Sequence, residues 1–188
     1  MKLVKLGLAS VLTATALFAG TYNVDASHSN IGFKVKHLMI SNVTGKFDKF
    51  NGSFEYDEKT NTLKTLTGNV EVSSINTENE KRDAHLKSAD FFDASKNPKL
   101  TFKLDKIDGD TAYGKLTLRG VTKDVELDYE YNGAAIDPWG NKRVGLELTG
   151  KINRKDYGLN WNKGLEAGGV LVGEDVKLII ELEGILAK

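Results

Sequence analysis

The sequence predicts an all-β protein whose strands close into an antiparallel barrel of about eight staves, with one short helix over an end. Apolar residues recur at every second position, turn residues punctuate them at short intervals, and only one stretch switches to helical spacing. Ile31, Phe33, Val35 and His37 alternate with Gly32, Lys34 and Lys36, and Leu100, Phe102 and Leu104 with Thr101, Lys103 and Asp105. The alternation returns in Val125, Leu127, Tyr129 and Tyr131, in Val144, Leu146 and Leu148, and in Val176, Leu178, Ile180 and Leu182.

These faces place strands near residues 21–25, 30–38, 43–56, 66–75, 99–107, 111–118, 121–131, 142–152 and 175–186. Between them, Asp57 to Asn61, Asp108-Gly109-Asp110, Arg119-Gly120, Asn132-Gly133 and Asp137-Pro138-Trp139-Gly140 read as hairpin connections. The helical stretch opens with Thr77-Glu78-Asn79-Glu80, the pattern of a capping box, and is expected over about Glu78 to Lys87. A further turn follows around Ser88 to Asp93. Ala84 and Leu86 are its clear apolar residues, so a narrow stripe should face the protein.

Strands with one apolar face each must stack as two sheets or close on themselves, and closure removes the edges that invite aggregation. Strands of about ten residues, rising ~3.3 Å per residue and tilted near 40°, make a wall roughly 25 Å high. Such a barrel is near the size at which side chains fill the interior or leave room for one small ligand. Any space left among Leu, Ile, Val, Phe and Tyr would be apolar. Burying about ten methylene-sized groups there at ~0.8 kcal/mol each gives on the order of 8 kcal/mol before the costs of immobilisation. The same positions could instead close-pack into a dry core, and composition does not decide between the two.

The chain has 188 residues with 26 basic and 26 acidic side chains, two Pro and no Cys. One domain over residues 20–188 fits that length and needs no metal or disulfide staple. The charge balance argues against nucleic acid, which demands an excess of Lys and Arg. Without Cys there is no thiolate nucleophile, thiolate metal site, disulfide or lipid-modified cysteine. Residues 1–19 read as a secretory signal peptide: Lys2 and Lys5 precede an apolar run from Leu6 to Phe18, and small residues follow at Ala14-Thr15-Ala16 and Ala19-Gly20. That run is too short for a permanent membrane anchor, and no second run of about 18 apolar residues follows. Cleavage is expected after Ala19, within 16–20, and a bacterial periplasm is the expected location.

Several strings are specific. Val24-Asp25-Ala26-Ser27-His28-Ser29, Phe33-Lys34-Val35-Lys36-His37 and Gly45-Lys46-Phe47 are followed by the long segment from Arg82 to Phe92. Gly114-Lys115-Leu116-Thr117-Leu118-Arg119-Gly120-Val121-Thr122-Lys123, Trp139-Gly140-Asn141-Lys142-Arg143 and Arg154-Lys155-Asp156-Tyr157-Gly158 complete the set. In this order, over essentially the whole exported chain, they resemble the YceI-like family. The resemblance implies a lipocalin-like barrel in the periplasm that encloses a long isoprenoid, or a related fatty-acid-like amphiphile, in an elongated apolar cavity. It also implies links to lipid transport and stress response.

Phe33, Phe92, Phe102, Leu116, Leu127, Tyr129, Leu146, Leu148 and Trp161 are the candidate lipid contacts. Arg82 and His85 share a helix face at i and i+3 and are the candidate head-group donors. Arg82 could equally pair with Asp83 or Asp90, Phe91 and Phe92 could simply anchor the helix, and Trp161 could be ordinary packing. No catalytic residue, metal or cofactor is expected. His28, His37 and His85 match no local ligand spacing, Ser27-His28-Ser29 lacks a nucleophile elbow, and Gly168-Gly169 lacks the continuation of a phosphate loop. The expected partner is the lipid, with no nucleic acid and with a homodimer left open. Binding without turnover is the leading expectation. A lipid- or quinone-directed enzyme or redox accessory, and a structural barrel with a filled core, are the alternatives.

Overall fold

Eight walls form a closed antiparallel barrel, and three of the eight are broken once. The computed structural model describes residues 20–165 and 168–188; the expected leader over residues 1–19 lies outside the described residues. The first wall is β1 (Gly20–Val24) and β2 (Asn30–His37), the second β3 (Ser41–Phe47) and β4 (Phe50–Asp57), the third β5 (Thr62–Glu71) and β6 (Ile75–Asn76). After α1 (Glu80–Lys87) the remaining walls are continuous: β7 (Lys99–Asp108), β8 (Thr111–Leu118), β9 (Val121–Ile136), β10 (Lys142–Asn153) and β11 (Val172–Leu186). Each wall pairs with the next in sequence, and β11 closes the ring by pairing with β10 on one edge and with both β1 and β2 on the other.

The breaks have local chemical causes. Between β1 and β2 the Asp25 carboxylate accepts from the Ser27 amide (3.0 Å) and hydroxyl (2.6 Å), turning the chain away from the ladder. The breaks in the second and third walls face each other: the Asp48 amide donates to the Ser74 carbonyl (3.1 Å) and the Lys49 amide to Ser74 Oγ (3.0 Å). Thus the expected strand over 43–56 is two strands, and that over 66–75 begins earlier, at Thr62. Asn132-Gly133 is not a hairpin turn. Tyr131 opposes Leu146 and Gly133 opposes Gly145, so Asn132 is the extra residue of a bulge inside β9. The tight turn that the sequence hid joins β2 to β3 at Leu38 and Met39, both with positive φ (52° and 63°).

The helix departs from its predicted start and face. Asn79, not Thr77, is the N-cap, its side chain accepting from the Arg82 amide at 3.0 Å. Glu78 adopts a left-handed φ of 59°, which rotates the chain so that Thr77 turns inward and donates to Asp83 instead. No helix residue is buried; Ala84 is exposed, and Leu86 alone packs on the core. No described helix is long and apolar enough to cross a membrane.

The lower half of the barrel is solid. Tyr22 stacks on Phe54 with ring centroids 5.3 Å apart, and Tyr56 on Tyr131 at 4.8 Å. Leu63, Leu104, Ala112, Leu127, Val144 and Leu146 fill the space around these rings. The Phe54 ring lies against Gly184, where an added Cβ would sit 2.4 Å from it. Just outside the floor, Arg143 ties the β1–β2 break to β10 and β11: it donates to Asp25 (2.8 Å), Glu183 (2.5 Å) and Asp137 (2.9 Å). Hydrogen bonds from Ser27, then His28 and Arg143, hold the Asp25 carboxyl well below the usual carboxylate range. Burial pushes Asp137 the other way, but bonds from Asn141, Arg143 and the local backbone outweigh it and leave it low as well.

Two predictions follow from the floor and its ion cluster. Gly184→Ala should lower the unfolding free energy by about 1–3 kcal/mol through overpacking against Phe54, read from the denaturant midpoint at unchanged slope. Because Asp25 and Asp137 titrate lower when folded, their contribution is full above about pH 4 and is lost as pH falls through and below that value. Asp25→Asn with Asp137→Asn should therefore melt below the parent near about pH 7, by a margin that narrows steadily as pH falls below about 4.

Candidate ligand cavity

Above the floor the barrel is hollow. Two apolar compartments of about 110 Å³ each lie one above the other and share Phe33, Phe47, Leu100, Leu118 and Leu178 as their partition. The lower one is walled by residues such as Ile31, Phe102, Leu116, Leu148 and Ile180. The upper one reaches Val35, Leu86, Phe92, Ile152, Leu159 and Val172 beneath the helix.

Glycine keeps this space open. Gly52 and Gly68 stand opposite each other on β4 and β5, and Gly68 is in turn opposite Phe102 on β7. All three lie on the inward face. A Cβ at Gly68 would meet nothing within 4 Å, so the wall is bare there. The Phe102 ring does not lean into the gap. It lies over Gly114, where an added Cβ would sit 2.6 Å from the ring. Phe33 does the same over its cross-strand partner Gly45, at 2.4 Å. Flattened rings on one side and missing side chains on the other leave room that an ordinary core would fill.

Phe91 and Phe92, more than the helix, close the top. Phe92 meets Phe47 edge-on at 6.3 Å, and Phe47 meets Phe33 at 5.9 Å, giving a line of rings from the lid into the cavity. Outside that line, Phe91, His85 and Trp161 form a second cluster with centroids 4.7–5.2 Å apart. Arg119, in the tight turn after β8, donates to the carbonyls of Gly158 and Ala89 and staples two top loops together. Arg154 is 3% exposed and, among the described residues, has no carboxylate partner in hydrogen-bond reach. Its guanidinium donates to the carbonyls of Gly173 (2.9 Å), Leu159 and Val172 (3.3 Å), while its stem borders the upper compartment.

Among the sequence-proposed lipid contacts, Phe33, Phe102, Leu116 and Leu148 line the lower compartment, and Phe33 and Phe92 the upper. Leu127 and Leu146 point inward but belong to the packed floor, 2% and 1% exposed. Tyr129 sits lower still, bordering an open groove at the bottom with Tyr131 and Asp110; its hydroxyl is buried without a partner, and burial pushes the phenol up to about 12. Trp161 stacks outside the lid rather than lining the cavity. Arg82 directs Nε and Nη2 to the Thr77 hydroxyl and carbonyl, both at 2.7 Å, and braces the loop before the helix. His85 lies 3.0 Å from Asp90. The two therefore do not converge on one point. Sequence reasoning missed Phe47, Leu118 and the glycine pair; Leu178 and Ile180 were legible as an inward face of β11.

His28, unassigned from the sequence, meets Asp25 and Glu183 with potential ligand atoms within 4.8 Å of one another. The Arg143 guanidinium already pairs with both carboxylates of that group.

Comparison with known proteins agrees with this architecture. The UPF0312 protein SA2479 of Staphylococcus aureus (strain N315) is 42% identical over 157 residues, covering 83% of this chain and 92% of the relative. The crystal structure of the Campylobacter jejuni YCEI protein superposes with a TM-score of 0.70 at 37% identity, over 87% of this chain and 96% of that one. Two more distant structures share the fold: BcnA of Burkholderia cenocepacia (TM-score 0.72, 20% identity, 85% and 98% covered) and a polyisoprenoid binding domain from Saccharophagus degradans (0.64, 17%, 90% and 99%). The YceI-like domain model matches residues 22–184, from the first floor tyrosine to the glycine beneath Phe54, and with these relatives it establishes that the chain belongs to the YceI-like family.

Proposed function

We propose that this protein binds one molecule with a long apolar tail, an isoprenoid or related amphiphile, in the upper half of its barrel, and does so without chemical turnover. The observation that carries the reading is the hollow above the aromatic floor, walled by Phe, Leu and Ile and left bare at Gly68. The Saccharophagus degradans domain, described as polyisoprenoid-binding, supports the ligand class. The leader pattern of residues 1–19 supports export, and we place the protein in the periplasm as a carrier or store.

An apolar void of about 150 Å³ accepts a benzene-sized molecule, so each compartment alone holds only a short stretch of tail. A long tail must swing Phe33 and Phe47 off the partition and run through both compartments. The tail enters from the top, because the stacked tyrosines block the other end. Its polar head then stands near the lid, where the 38%-exposed His85 is the nearest of the proposed donors to open solvent.

Solvent extraction of protein purified from its exported form, followed by mass spectrometry, should yield about one equivalent of an apolar-tailed molecule; absence of any such molecule counts against the reading. Gly68→Leu provides the sharper check. The new side chain projects into empty space, so the fold should melt as the parent does, while uptake of an apolar fluorophore or of polyprenol falls by about tenfold or more. A folded Gly68→Leu protein that binds as tightly as the parent removes the cavity as the site.

A further inference from the structure

The turn between β2 and β3 is built against ordinary preference. Two-residue turns with positive φ at both positions favour Asn and Gly. Here the positions are Leu38 and Met39, each in a conformation costing an L-residue with a Cβ on the order of 1–2 kcal/mol. The result presents Met39 and Ile40 to solvent, 55% and 83% exposed. The turn stands at the top of the barrel, the end from which the cavity must be entered. It is bonded there: the Leu38 amide donates to the Leu171 carbonyl at 2.9 Å, and the next residue, Val172, lines the upper compartment.

Charge in the segment that carries the turn is one-sided, and the acids of β11 across from Lys36 are taken up elsewhere, Glu174 by Lys155 and Asp175 by Lys151. From Ala26 to Phe47 there is no acidic residue in a chain that carries 26 acids, whereas Lys34, Lys36 and Lys46 all fall in that span. Lys34 and Lys36 lie on the outer face of β2, and Lys177 of β11 is the cross-strand neighbour of Lys34. Among the described residues none of Lys34, Lys36 and Lys177 has a carboxylate within ion-pair distance. Two exposed apolar side chains at a rim, backed by unpaired lysines, are the elements of an interfacial lipid anchor: the apolar pair enters the acyl boundary while the ammonium groups meet anionic head groups.

We infer that the Leu38–Ile40 turn docks the barrel, top down, on an anionic lipid bilayer, so that the cavity is filled or emptied at a membrane surface. The inference rests on the proposed binding function, because it supplies the route by which an insoluble tail reaches the cavity without crossing water.

Co-sedimentation of the full chain with vesicles tests it. The parent should sediment with vesicles of equal parts phosphatidylglycerol and phosphatidylcholine, less with phosphatidylcholine alone, and less as salt rises. Met39→Ser with Ile40→Ser should weaken sedimentation with the mixed vesicles by about tenfold or more, and Lys34→Gln with Lys36→Gln by about fivefold per charge. Uptake of an apolar fluorophore from solution should be the same for the parent and both double variants. Failure of the parent to take up the fluorophore counts against the cavity reading while leaving the vesicle comparison to decide docking. Docking is overturned if the parent ignores anionic vesicles, or if the serine variant sediments as the parent does. It is also overturned if that substitution converts a dimer of the free protein to a monomer, which would make the turn a contact between two copies of this chain.

Discussion

Ring closure by the last strand is the constraint on which everything else depends. β11 pairs with β10 from Asp175 to Ile185 on one edge and divides the other edge between β2 and β1. Once that pairing is made, the circumference is set, and the inward faces of all eight walls converge on one axis. The interior then has a fixed capacity that side chains either use or leave. Aromatic residues use it completely below, in the Tyr22–Phe54 and Tyr56–Tyr131 stacks. Glycine leaves it unused above. A filled core and a hollow one, alternatives when only periodicity is considered, thus describe two halves of one barrel.

Most of the fold was legible because it is written in period two. The inward sets of β7, β10 and β11 were read correctly from alternation alone, and the resemblance carried by the Arg82–Phe92 and Gly114–Lys123 strings pointed to the right family. What stayed hidden depends on neighbours distant in sequence. Gly68 is an ordinary weak strand residue until β4 brings Gly52 opposite it and β7 brings a Phe whose ring leans elsewhere. Leu127 and Leu146 alternate just as Leu116 and Leu148 do, and only their height in the barrel separates packed floor from cavity wall. Arg82 looked like a head-group donor because it shares a helix face with His85; with the cap at Asn79 and Thr77 turned inward, Thr77 becomes its partner instead. The Leu38–Met39 turn carries no turn residue at all, so nothing in its letters announced it.

Charged groups fasten the irregular segments of this barrel. Arg143 gathers three carboxylates where the first wall breaks, and Arg154 accepts burial among backbone carbonyls to hold the long top loop against β11. Leaving either guanidinium unpaired would be costly at those positions, so each fixes the path of an irregular segment that hydrogen-bonded sheet cannot reach.

The breaks are not spread evenly around the circumference. All three fall in adjacent walls, leaving β7 to β11 as an uninterrupted shell facing a jointed one. At the breaks the ladder gives way to a few local polar contacts at Ser27 and Ser74, fewer bonds than a continuous ladder supplies. Five staves are therefore continuous and three are jointed, and with fewer ladder bonds to open at the joints, any widening of the ring concentrates on that flank.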